Sequence, residues 1–99
     1  MIGLMLKLHV KPGEEQAVEE QMKVFASECM RTEPGTLLYT IVKDKDGSLG
    51  TMEIYESPEA IEAHAATPHH ADNVRVLTPL VSRGDIDRFE VIHHPTRSE

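Results

Sequence analysis

The chain opens on an alternating stretch. In "IGLMLKLHV" the apolar residues Ile2, Leu4, Leu6, Leu8 and Val10 share one side of a period-two pattern, and Met5, Lys7 and His9 the other, which predicts a strand ended by "KPG". From Glu14 to Arg31 the period becomes helical. Val18, Met22, Phe25 and Cys29 form the apolar stripe, flanked by Ala17, Gln21 and Ala26, with Glu15, Glu19, Lys23 and Ser27 opposite. Acids near its start and Arg31 at its end suit the helix dipole. "EPG" at 33–35 predicts a type II turn, with φ preset by Pro34 and a positive φ supplied by Gly35. "TLLYTIVKD" (36–44) and "GTMEIYE" (50–56) predict two strands around a "KDGS" turn. Ser57-Pro58 and Thr67-Pro68 each place an N-cap hydroxyl before a proline, so helices are expected from Pro58 to about Ala66 and from Pro68 to about Leu77. Pro79 stops the latter. Residues 81–94 predict a bulged or interrupted last strand, and "PTRSE" a loose tail.

The order β-α-β-β-α-β predicts an α+β, ferredoxin-like fold: a four-stranded antiparallel sheet with helices on one face. One domain is expected over 1–94, with 95–99 as the tail. The apolar first strand suits a central place in the sheet. The sheet's other face would carry large apolar side chains, and sheet-to-sheet pairing in a homodimer is the simplest way to cover them.

Charge narrows the partners. Seventeen acids against ten Lys and Arg give a net charge of −7, which disfavours nucleic acid and anionic membranes. The single cysteine, Cys29, precludes an intramolecular disulfide. The start "MIGLMLKLHVKPG" lacks a basic leader region and a small-residue cleavage site and is too short to span a bilayer, so a cytoplasmic protein is expected.

Candidate chemistry concentrates in "IEAHAATPHHADN", residues 61–73, which holds three of the six histidines. Helical spacing points His64 inward with Ala60, Ile61 and Ala65, away from Glu59, Glu62 and Ala66. On the third strand Thr51, Glu53 and Tyr55 share one face, and Met52 and Ile54 the other. If the polar face meets the second helix, Glu53 approaches His64 and the two form an acid/base pair. The expected catalytic set is therefore His64, Glu53 and Tyr55. His69, Tyr39, Phe25, Met22 and Thr51 are expected to line the pocket. No metal site is expected: the spacing of His64, His69 and His70 crosses a proline break, Glu62 and Asp72 face outward, and Cys29 reads as a small buried hydrophobe.

"EPGTLLYTIVKD" followed by "MEIYESPEAIEAHAATPHHADNV" resembles the antibiotic biosynthesis monooxygenase family. The resemblance is carried by Glu33, Pro34 and Gly35, by Tyr39, by Glu53 and Tyr55, by Glu59, Ala60 and His64, and by Thr67, Pro68 and His69, within residues 2 to 92. It implies a dimeric α+β barrel with a cavity between sheet and helices. Several members oxygenate quinols or anthrone-like polyketides without metal, flavin or haem. The implied activity is thus a cofactor-independent monooxygenase acting on a small aromatic substrate with O2. A haem-degrading branch resembles this chain less, because its helix Trp is replaced by His64 and the chain has no Trp. Two alternatives stay open. One is an isomerase of a small phosphorylated or carbonyl compound, which would need Lys7, Lys23, Lys43 or Arg75 at the site. The other is a small-molecule-binding module without catalysis.

Overall fold

The computed structural model describes residues 1–98. Its elements are β1 (Ile2–Val10), α1 (Glu15–Thr32), β2 (Thr36–Lys43), β3 (Leu49–Tyr55), α2 (Pro58–Ala65), α3 (Pro68–Leu77) and β4 (Val81–Glu90), with a short 3-10 turn at Thr78–Leu80. The sheet is antiparallel throughout, in the order β2-β3-β1-β4. This is the ferredoxin-like α+β arrangement, with the apolar β1 in a central position. β4 is bulged, as its sequence predicts: its register against β1 shifts between His9 and Val10. It ends at Glu90, short of the expected residue 94. Of the expected tail, residues 95–98 carry no strand or helix, and Glu99 lies outside the described residues.

Register fixes the two faces. Leu4, Leu6 and Leu8 pair with Glu53, Thr51 and Leu49, and Tyr39 and Ile41 pair with Glu53 and Thr51. Residues directly opposite share a face, so this whole set looks toward the helices. The core sits at one end of that layer, where Leu8, Val18, Met22 and Leu49 are buried with Leu6, Val10, Ile41, Leu77, Leu80 and Val81 against them. On the other face Met5, Met52 and Phe89 are 42%, 43% and 47% exposed.

The helix starts follow the expected devices. The Ser57 hydroxyl accepts the Ala60 amide, and the Thr67 hydroxyl accepts the His70 amide at 3.1 Å. Thr67 also donates to the His64 carbonyl at 2.9 Å, so one hydroxyl ties the end of α2 to the start of α3. α2 buries only His64, and Ala65, expected inside, is exposed.

The turn at 33–35 forms, closed by the Thr36 amide on the Glu33 carbonyl at 3.1 Å, but Gly35 does not take a positive φ. Its need for a missing side chain is steric instead. A Cβ there would stand 2.6 Å from the Ala60 Cβ, so Gly35 lets α2 approach the start of β2.

Gly50 is tighter still: a Cβ would meet the Leu6 carbonyl oxygen at 2.3 Å, and a backbone atom cannot swing aside. Gly50→Ala is expected to lower unfolding stability by about 1–3 kcal/mol, the usual cost of overpacking, read from the urea midpoint at unchanged m-value.

Candidate functional site

A cavity of about 420 Å³ lies between the helix-facing side of the sheet and α3. Its floor is Leu4, Leu6 and Leu8, its far wall includes Val74 and Leu77, and its polar groups include Tyr39, Glu53, His64, His70 and Asn73. A mostly apolar space with a few converging polar groups is the usual form of a small-molecule site. Of the residues expected there, His64, Glu53, Tyr39 and Phe25 line the cavity; Tyr55, His69, Met22 and Thr51 do not. Met22 belongs to the hydrophobic core.

Glu53 has a different role from the expected one. It is buried, and both carboxylate oxygens are taken by neighbours on its own strand: Tyr55 donates to Oε1 at 2.5 Å and Thr51 to Oε2 at 2.5 Å. Strand alternation puts all three on one face, so the carboxylate carries its own donors into the interior. Burial, then the Glu53 charge, push the Tyr55 phenol far above the ordinary tyrosine range, so it stays protonated and donates.

The carboxylate partner of His64 is Glu33, not Glu53. His64 Nδ1 lies 2.8 Å from Glu33 Oε1, and His69 Nε2 contacts Glu33 Oε2. Thr36 donates to Glu33 Oε1 at 2.6 Å. One carboxylate at the end of α1 thus holds the two imidazoles of α2 and α3. Burial works to raise its pKa, but the hydrogen bonds from Thr36, His69 and His64 together outweigh burial and leave Glu33 below its ordinary value. An anionic Glu33 requires a proton on His64 Nδ1. In the neutral ring Nε2 is then the lone-pair nitrogen, and it makes no hydrogen bond to another described residue.

The ring is packed on several sides. Its centroid lies 5.6 Å from that of Phe25, 5.2 Å from Tyr55 and 5.1 Å from His70. Phe25 is the hub, also meeting Tyr39 edge-on at 5.5 Å. Burial, then the Glu53 charge, raise the Tyr39 phenol far above its usual range, so it remains a donor. Burial, then the repulsion that a protonated His64 would exert, lower His70 below the ordinary histidine value. Asn73 accepts from the Gln21 amide at 3.1 Å through Oδ1, leaving its NH2 as a further donor.

Behind His64, the Cys29 sulfur lies 3.8 Å from Nδ1, and the donor atoms of Cys29, Glu33 and His64 all fall within 4.8 Å of one another. This is not the histidine trio whose spacing argues against a metal. Burial, then Glu33, hold the Cys29 thiol well above its ordinary value. Sequence reasoning missed Glu33 because its place in "EPG" is explained by a turn. The available signal was a carboxylate one helical turn beyond Cys29, on the buried stripe.

No cation expected for a phosphorylated ligand reaches the cavity. Lys7 pairs with Asp44 and Asp46, Lys23 and Lys43 with Glu19, and Arg75 with Asp72. Arg83 is the cationic residue of the lining, and it contacts His9 and Asp85.

Solved structures share the fold closely. A candidate antibiotic biosynthesis monooxygenase from Caulobacter crescentus superposes with a TM-score of 0.88 at 23% identity, over 93% of this chain and 90% of the other. One from Nitrosomonas europaea gives 0.87 at 18% identity, over 94% and 100%. Rv0793 from Mycobacterium tuberculosis gives 0.86 at 18% identity, over 96% and 98%. At such identities the likeness concerns the fold alone. A search of curated proteins returns no match. The family's sequence profile, antibiotic biosynthesis monooxygenase, matches residues 1–76. With that match spanning most of the chain, and with the fold and motif residues in place, the protein belongs to the antibiotic biosynthesis monooxygenase family.

Proposed function

We propose that the protein is a cofactor-independent monooxygenase that oxidises a small electron-rich phenolic, of the quinol or hydroxyanthrone class, with O2. The observation that carries this reading is the buried Glu33–His64 pair at 2.8 Å, with His64 on the cavity wall. Neutral imidazole with an oriented free nitrogen is the side chain best suited to take a phenolic proton near neutral pH. Glu33 fixes the ring's tautomer and stabilises the imidazolium once formed. Tyr39 and the Asn73 amide are the donors for the phenolate oxygen.

The deprotonated substrate passes one electron to O2, and recombination with superoxide forms a carbon–oxygen bond to a peroxide. Protonation by His64 gives the hydroperoxide. At a ring CH2 position its O–O bond breaks as the remaining C–H proton leaves, giving a carbonyl and water. Both electron pairs come from the substrate, so the protein's task is to bind, deprotonate and exclude water.

The same reading takes the functional unit to be a homodimer in the cytoplasm. Its support is the apolar part of the open sheet face, where Met5, Met52 and Phe89 are each more than two-fifths exposed. Light scattering at micromolar concentration should give twice the chain mass; a stable monomer overturns the dimer.

His64→Ala should lower oxygen uptake with model quinols by about 10²–10⁴-fold, the usual contribution of a general base. Full uptake in that variant, or uptake abolished by a chelator in the unsubstituted protein, overturns the mechanism.

Glu33 carries a pH signature of its own. Its folded-state value is lowered from 4.5, so the stability it contributes is fully present above that value and is lost as pH falls through the folded one. Urea midpoints should therefore fall less steeply below about pH 4.5 in Glu33→Gln than in the unsubstituted chain. Parallel acid limbs would show that the carboxylate is not held as described.

A further inference from the structure

Cys29 and Glu33, neither of which lines the cavity, give His64 a second set of neighbouring donor atoms. Cys29 Sγ stands 3.8 Å from His64 Nδ1, and Glu33 Oε1 stands 2.8 Å from it; one donor atom from each of the three residues lies within 4.8 Å of the others. We propose that Cys29, Glu33 and His64 form a binding site for a thiophilic divalent cation of the zinc and cobalt(II) class. A tetrahedral zinc centre sets its N···O edge at about 3.3 Å and its S···N edge at about 3.6 Å. The observed triangle thus needs adjustments of roughly half an ångström or less on these edges.

Three further observations favour the site. The first is charge: one thiolate, one carboxylate and one neutral imidazole balance a divalent ion, and a neutral ensemble is what a buried position tolerates. Cys29 is 0% exposed, and the side chains of His64 and Glu33 are 8% and 9% exposed. The second is the surroundings. Thr36 at 2.6 Å and His69 already hold the Glu33 carboxylate in place, as outer partners do around metal ligands. The third is donor softness: a thiolate beside an imidazole selects zinc or cobalt over magnesium or calcium. Loading the site releases the Cys29 proton, and the proton on Nδ1 moves to Nε2, so the imidazole stays neutral.

The consequence for the cavity follows from the two ring nitrogens. A metal on Nδ1 forces the ring's proton onto Nε2. His64 then offers the cavity a donor in place of a lone pair, and the metal acts as an inhibitor of proton abstraction. Binding is read without turnover, so the outcome stands apart from whether the chain oxidises quinols.

Cobalt(II) titrated into the chain in metal-free buffer should bind at one ion per chain with a thiolate-to-cobalt absorption band, and zinc should displace it. Cys29→Ser should abolish the band. Glu33→Gln should keep the band and weaken binding by at least about 10-fold, because losing a ligand costs no less than losing an outer partner. Because Cys29 is fully buried, the unsubstituted chain supplies an independent reading: cadmium NMR should show one sulfur ligand. A cadmium resonance of purely oxygen and nitrogen ligation, a titration without the thiolate band, or unchanged affinity in Cys29→Ser would each assign the binding to surface histidines and overturn the site.

Discussion

The arrangement of this protein depends on keeping one carboxylate charged in a place that disfavours charge. Glu33 closes α1, lies under α2 and α3, and has a side chain only 9% exposed. Three donors offset its desolvation: a hydroxyl from the start of β2 and one imidazole from each of the two short helices. The apolar core reaches only the far end of α3, at Leu77. α2 buries a single residue and α3 none. The polar network therefore orders what the apolar core does not reach, and the fully satisfied network specifies one arrangement of the rings.

A second carboxylate, Glu53, shows the same rule with a different supply. Its donors come from two positions along on the same strand. Glu33 gathers donors from three elements and joins them; Glu53 is satisfied locally and serves as a fixed negative charge on the cavity wall. That charge helps keep Tyr39 and Tyr55 protonated. Two buried acids thus divide the work, one orienting a base and one keeping phenols as donors.

Most of the fold was legible in the residues. The period of two in β1, the stripe of Val18, Met22, Phe25 and Cys29, and the paired hydroxyl-proline starts each act within a few residues, where local chemistry decides. His64 was legible too, because helical spacing alone turns it inward. Its partner was not. Glu33 and Glu53 are both acids that can reach His64, and choosing between them requires the position of the α1 end relative to α2, which no local pattern encodes. Gly35 illustrates the same limit. The dipeptide with Pro34 suggests a backbone requirement, whereas the actual constraint is contact with Ala60, twenty-five positions away.

The cavity wall has one more implication. Val74 and Leu77 on α3, and Ile86 on β4, border the cavity, and Val74 and Ile86 are 48% and 67% exposed. Val74 and Ile86 are thus presented to a hollow with little to pack against. A planar aromatic guest would occupy the place of the missing hydrophobic layer and become, for as long as it stays, part of the core. Occupancy and folding are then linked quantities: thermal resistance would rise with the logarithm of guest concentration above its dissociation constant. Melting curves run against a collection of aromatics would therefore rank ligands for this chain before any reaction is known.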